Sequence, residues 1–250
     1  MDAYDVRHTH FFKTDGSTQN DRPFGRPLRA TVVRKKKGEM DMGAAEKIMK
    51  KKAVIKAELD RALPRSQSDA LWREATVELD GLLARYSALP KGEHIHTDSG
   101  ILPAAAIYLT VKRAVGPERA YRMLEDAAIR GCAKIEKKLQ RLLALPGMRS
   151  LFISAWDPLT KKIFASATGF RNGFYPKEKG GYRMDVVACP YQRTFAELGC
   201  PELTKIFCEN DERIYGRLPG LRFERTGTLG KGAARCDFHL RKIDSTDTRR

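Results

Sequence analysis

The spacing of the hydrophobic residues changes near residue 149, and this change limits the fold more than any other feature of the chain. Before it, apolar residues recur at helical intervals in four segments that each end beside a proline or a glycine: 44–63, 66–89, 101–115 and 117–145. After it, five short segments have the composition and spacing of β-strands: 151–155, 163–168, 182–188, 221–226 and 235–241. The first half is therefore predicted to be helical and the second half to contain a sheet.

Two further helical segments, 191–198 and 201–218, lie between the third and fourth predicted strands. The sequence thus predicts an α+β fold, with N-terminal helices followed by a mostly antiparallel sheet with a helical insert.

The domain organisation follows from the same pattern. Residues 1–42 are polar and aperiodic, which predicts a basic, partly disordered leader. Residues 43–250 are predicted to form a single α+β domain, with helices over 44–146, the sheet within 149–242 and a tail at 243–250.

The basic charge is concentrated rather than spread. The chain has a net charge of +16, and residues 22–56 hold 12 basic and 3 acidic side chains, a net +9. A solvated arm is the favoured interpretation, and an arm that binds a partner is the alternative. Aromatic residues are not interleaved with the basic run, so we do not expect nucleic-acid binding.

The apolar runs are too short for a membrane span, which needs roughly 18 apolar residues. The first residues are acidic and no apolar segment of a signal peptide follows them, which favours a cytoplasmic protein without membrane contact. The five cysteines are accordingly expected to be reduced thiols. Self-association is left open by the sequence.

Asp211 is the most informative polar residue of the predicted helix 201–218. It follows Phe207 by four positions and precedes Ile214 by three, so it is predicted to share their apolar face. A carboxylate there needs a partner. It could act as a base, an acid or a clamp on a polar substrate, or it could hold a neighbouring loop. Cys208, one turn earlier, is either a nucleophile or a small core residue.

Two more thiols are predicted to reach this helix. Cys189 ends the strand 182–188, and Cys236 alternates with Phe238 and Leu240 on the inward face of the last strand. The cysteines at 189, 200, 208 and 236 lack the Cys-x2-Cys spacing of structural zinc sites, so a divalent metal is only weakly supported.

Two other motifs are given no functional role. His94 and His96, with Asp98, lie in a segment predicted to be a solvated loop, because two histidines alone do not make a metal site. Residues 227–232 resemble a phosphate-binding loop superficially, but the lysine is not followed by Ser or Thr and a strand comes next, which predicts a hairpin turn.

The second half of the chain resembles the L-2-amino-thiazoline-4-carboxylic acid hydrolase family. The resemblance covers roughly residues 95–242. It is carried by Val-Val-Ala-Cys-Pro-Tyr at 186–191, Phe-Cys-Glu-Asn-Asp at 207–211, Arg-Phe-Glu-Arg-Thr-Gly-Thr-Leu at 222–229 and Cys-Asp-Phe at 236–238.

The resemblance implies a hydrolase that opens a small cyclic amidine or thiazoline ring. In the family's namesake reaction, water adds to the amidine carbon, the ring carbon–sulfur bond breaks, and an N-carbamoyl cysteine forms. We expect Asp211 and Cys208 to be catalytic, and the following residues to bind the substrate: Cys189, Cys236, Tyr215, Arg183 and Arg222.

Electrostatics leaves two routes open. A carboxylate beside a thiolate raises the pKa of the thiol, so Cys208 can act as a nucleophile only if a basic residue such as Arg183, Arg222 or Arg225 compensates for Asp211. Otherwise Asp211, alone or with a divalent ion, would activate water, and the thiols would be structural. The alternative function is a non-catalytic module that binds an apolar or tetrapyrrole-like small molecule.

Overall fold

The computed structural model describes residues 43–243. The expectations about the leader 1–42 and about residues 244–250 of the tail lie outside the described residues. The extent of the single domain stays a prediction.

The predicted helical half is confirmed, with two differences. Its helices are α1 Gly43–Lys50, α2 Ala53–Ala62, α3 Arg65–Arg85, α4 His94–His96, α5 Leu102–Val115 and α6 Pro117–Leu143. The first predicted helix is interrupted by a turn after Lys50. The segment before residue 101 that was predicted to be a loop is instead helical. Helix α4 is followed directly by a π-helical turn, Thr97–Ile101, and then by α5.

The first two predicted strands, 151–155 and 163–168, are wrong. Helix α7, Met148–Ile163, covers the first and the beginning of the second, and a 3-10 turn at Ser166–Thr168 follows. The buried residues of α7, Ile153 and Thr160, are seven positions apart, which is two helical turns. A short apolar run does not distinguish a strand from a helix by periodicity alone.

The sheet contains four antiparallel strands in the order β1-β2-β4-β3. The remaining elements are β1 Arg171–Phe174, β2 Gly181–Ala188, α8 Pro190–Glu197, α9 Leu203–Tyr215, β3 Leu221–Glu224 and β4 Cys236–Lys242. Three predicted strands and both helices of the insert are thus present. Strand β1 was not predicted, since Arg-Asn-Gly-Phe has a single apolar side chain. The fold is α+β, with the helices first.

None of the helices between residues 43 and 243 combines the length and the apolar character that crossing a bilayer requires.

Two hydrophobic clusters organise these elements. One is helical and contains fully buried residues of α3 and α5, such as Leu79 and Ile107. The other lies between α7 and the inward face of the sheet, around Phe238 and Leu240. Helix α9 contributes to both, because Phe207 packs against the helical cluster and the next residue, Cys208, packs against the sheet cluster. The boundary between the clusters is therefore located at α9.

Candidate functional site

A cavity of about 250 Å³ lies at this boundary. Asp211 and Cys208 of α9 line it, together with Cys236 of β4 and Cys189, which follows β2. The structure thus brings together the four residues that were expected to converge. Most of the remaining lining is aromatic or aliphatic: Phe164, Phe170, Met184, Val186, Phe207 and Phe238.

Local structure explains how these side chains reach one space. Cys208 and Asp211 are three residues apart on α9 and therefore on neighbouring positions of one helix face. In β4, Cys236, Phe238 and Leu240 alternate with more exposed residues, as the sequence predicts. Cys189 is extended, and Pro190 starts α8 at the first helical position, where a missing N–H costs nothing.

The Asp211 carboxylate is paired with Arg225. Nη2 of Arg225 lies 2.7 Å from Oδ2 of Asp211. The Asp211 side chain is 38% exposed, and part of this exposed surface lines the cavity. Removal from bulk water raises the pKa of the Asp211 carboxyl, while the Arg225 charge opposes the rise. The need for a partner, inferred from the helical spacing, is met by Arg225.

Arg225 is fixed from several directions. Its Nη1 donates to the carbonyl oxygen of Cys208 at 2.7 Å, and its Nε donates to that of Asp237 at 3.2 Å. The guanidinium also stacks near the rings of Phe223 and Phe238, at 5.0 and 5.7 Å from their centroids. Only 9% of the side chain is exposed. The positive charge is therefore held beside both Asp211 and the Cys208 backbone.

The thiols of Cys208 and Cys236 interact with each other. The Cys236 thiol lowers the pKa of the Cys208 thiol to about 7, assisted by the backbone of Gly230 and opposed by burial and by Asp211. The same interaction and burial raise the pKa of Cys236, although the backbone N–H of Leu229 donates to its sulfur at 3.1 Å. Of the two thiols, Cys208 is therefore the one that ionises more readily.

Cys189 differs from this pair. Burial raises the pKa of its thiol to about 11, so it is protonated at neutral pH. Of the three thiols that line the cavity, Cys208 therefore has the most nucleophilic character.

A second polar pair, His96 and Tyr191, lines the cavity and was not expected from the sequence. His96 Nε2 lies 2.8 Å from the Ile163 carbonyl oxygen, and Nδ1 lies 3.2 Å from the Tyr191 hydroxyl. Burial lowers the pKa of His96, so the ring is neutral; Nε2 donates to the carbonyl, and Nδ1 accepts from Tyr191. The sequence places His96 near Asp98, but the structure pairs Asp98 with His94.

The other predicted substrate-binding residues lie elsewhere. Tyr215 packs in the sheet cluster, with its ring 5.0 Å from that of Trp156 and 5.8 Å from that of Phe238. Arg183 stacks on Tyr175 at 4.3 Å and lines a different cavity. Arg222 lies on β3 within 4.0 Å of Glu224. None of the three is among the described residues that line the thiol cavity.

Over residues 43–243, no group of three or more His, Cys, Asp or Glu side chains is arranged to hold a metal ion. The described residues therefore do not provide the set of ligands that a divalent-metal site needs.

The fold and the cavity define the class of protein: an α+β protein with a pocket in which a paired carboxylate faces a thiol of lowered pKa. The family model described as L-2-amino-thiazoline-4-carboxylic acid hydrolase matches residues 94–240, more than half of the chain. The chain belongs to this family. Searches of curated proteins and of solved structures gave no match.

Proposed function

We propose that this protein is a hydrolase that opens a small cyclic amidine ring of the thiazoline type. The observation that carries the proposal is that Cys208 and Asp211 line one cavity while Arg225 balances the Asp211 charge. The pKa of Cys208, which is lowered to about 7 in spite of Asp211, supports a thiolate at this position.

In this proposal Asp211 binds the amidine. Its Oδ2 is occupied by Arg225, whereas Oδ1 has no hydrogen-bond partner among the described residues. An amidinium N–H can donate to Oδ1, which holds the ring and keeps its carbon electron-poor. The Cys208 thiolate then attacks the carbon between nitrogen and sulfur.

The reaction proceeds in two halves. In the first, the Cys208 sulfur bonds to the amidine carbon, the ring carbon–sulfur bond breaks, and the departing sulfur takes the proton of Cys236. In the second, water adds to the same carbon, one of its protons returns to Cys236, and the Cys208 thiolate leaves. The other water proton passes to Asp211 and then to solvent. This release balances the extra proton with which the amidinium entered the site. The product is a urea that carries a free thiol.

A ring-opening assay tests this proposal. Purified protein is incubated with 2-amino-2-thiazoline and its 4-carboxylate, and the open product is detected by mass spectrometry. We expect Cys208→Ser and Asp211→Asn each to lose about 10²-fold or more in kcat/KM. Cys132→Ser is the matched control, because Cys132 is a buried thiol of α6 that does not line the cavity. Full turnover in both site variants would remove the assigned roles.

The second candidate is a non-catalytic binding module. The observation that favours it is the largely apolar lining around Phe164, Phe170 and Phe207. Mass spectrometry of the purified protein under native and denaturing conditions distinguishes the two functions. A stoichiometric small molecule that remains bound, together with no ring opening of any amidine, would favour the binding module.

A further inference from the structure

The charges that line the cavity bear on which amidines it accepts. Arg225 is the one cationic side chain among the described residues that line it. Its charge is matched by Asp211, and two of its other N–H groups donate to the carbonyl oxygens of Cys208 and Asp237. His96, the other basic residue there, is neutral for the reasons given above. A carboxylate on the substrate would therefore enter without a compensating positive charge.

Such a carboxylate would also meet the Asp211 charge. Placing an uncompensated anion in a partly desolvated site is costly, and a second anion nearby increases the cost. The site thus contrasts with one built for an amino-acid-derived ring, in which a free arginine or lysine would bind the carboxylate.

The rest of the cavity favours an apolar group. Phe164 and Phe170 meet edge to face at 4.9 Å, and the His96 ring lies 5.0 Å from Phe170. Tyr191 extends this aromatic wall to Phe207, with 4.9 Å between their centroids. An aromatic substituent on a ligand could join this cluster in the same offset and edge-to-face geometries.

We propose that the cavity takes cyclic amidines that carry an apolar, aromatic-sized substituent instead of a carboxylate, with the amidine at Asp211 and the substituent against Phe164 and Phe170. The ring opening of such ligands rests on the proposed function, whereas their binding in the cavity does not depend on it.

Binding and turnover are therefore measured separately. Calorimetry with the Cys208→Ser protein compares 4-benzyl-2-amino-2-thiazoline with 2-amino-2-thiazoline-4-carboxylate. We expect the benzyl compound to bind about tenfold more tightly or better, and the wild-type kcat/KM values to follow the same order. If the benzyl compound binds more tightly but neither ring opens, the proposed function fails and the ligand class stands. Equal or tighter binding of the carboxylate, or no binding of either compound, would overturn the ligand class.

A pair of phenylalanine variants locates the substituent. Phe170→Leu should weaken binding of the benzyl compound by about two- to tenfold while changing carboxylate binding by less than about twofold. Phe174→Leu is the matched control, since Phe174 is 40% exposed on β1 and does not line the cavity. Circular dichroism checks that both variants are folded. If Phe170→Leu is folded and binds the benzyl compound as the wild type does, the proposed orientation is wrong.

Discussion

In the proposed reaction, the interaction between the thiols of Cys208 and Cys236 determines which sulfur is the nucleophile. The Cys236 thiol lowers the pKa of Cys208, and the same interaction, together with burial, raises the pKa of Cys236. Cys208 therefore has thiolate character although Asp211 lies on the same helix face. Arg225 forms an ion pair with Asp211 and so balances the negative charge of this neighbouring carboxylate.

This arrangement predicts the pH dependence of alkylation. Because the pKa of Cys208 is lowered to about 7 and the thiolate is the reactive form, its reaction with iodoacetamide should accelerate as the pH rises through about 7. Cys236→Ala should move this midpoint to higher pH, since the donor to the thiolate is removed. Peptide mass spectrometry after timed labelling between pH 5 and pH 9 gives the midpoint.

The control is Cys132→Ala, which removes a buried thiol that does not line the cavity. It should leave the Cys208 midpoint unchanged. A Cys208 midpoint that is the same in the wild type and in Cys236→Ala would show that the two sulfurs do not interact.

At the scale of single residues, part of the candidate site could be predicted from the sequence. Alternation in the last strand predicts the inward position of Cys236, and helical spacing predicts that Asp211 needs a partner. The sequence offers three arginines for that role, and only the path of the chain between β3 and β4 selects Arg225. The contact between His96 and Tyr191 joins residues 95 positions apart, and local pattern contains no signal for it.

At the scale of the element, the connection between β3 and β4 brings a turn against α9. The 3-10 turn Leu229–Lys231 lies in the predicted hairpin connection and places Gly230 next to Cys208. A Cβ atom at Gly230 would lie 2.9 Å from the Cys208 sulfur and 3.1 Å from the backbone of Thr204 and Lys205. Since backbone atoms cannot move aside cheaply, this approach requires glycine.

Gly230→Ala should therefore separate the turn from α9. We expect the free energy of unfolding to fall by about 1–3 kcal/mol and the pKa of Cys208 to rise, because the Gly230 backbone no longer supports its thiolate. Urea denaturation and the alkylation midpoint measure the two effects. Gly81→Ala on α3 is the control, because nothing lies within 4 Å of its Cβ position and alanine favours the helix. Equal effects of the two substitutions would contradict the proposed close contact.

Helix α7 shows why some helices are harder to predict from the sequence than others. Helices α5 and α6 are long and end at prolines or glycines, and their bounds agree closely with the prediction. Residues 148–163 instead contain Pro158 and a short apolar run, which locally resembles a strand. Only packing of Ile153 and Trp156 against the inward face of the sheet identifies the segment as a helix.

At the scale of the whole molecule, the cavity joins two hydrophobic clusters. Phe207 belongs to its helical side, Cys236 and Phe238 belong to its sheet side, and Tyr191 packs against both clusters. A ligand that fills the cavity would contact both sides at once, and its binding free energy would stabilise both against local opening.

Hydrogen exchange can measure this coupling. With 4-benzyl-2-amino-2-thiazoline bound to the Cys208→Ser protein, amide exchange should slow in both α5 and β4, by up to the factor that the ligand concentration and affinity allow. The comparison is with the unliganded variant under identical conditions. Protection confined to one of the two elements would show that the clusters open independently.

The alternation of buried and more exposed side chains along β4 limits how this sequence can evolve. The carboxylate of Asp237, on the face opposite Cys236, accepts from the backbone N–H groups of Thr226 and Gly227 and so ties down the segment that begins with Arg225. An inserted or deleted residue in this strand would exchange the two faces. The Cys236 side chain would then point outward and the Asp237 side chain inward. The segment that begins with Arg225 would lose its hydrogen bonds to Asp237. Substitutions at the surface of β4 can accumulate, whereas a change in its length would abolish the proposed reactive centre in one event.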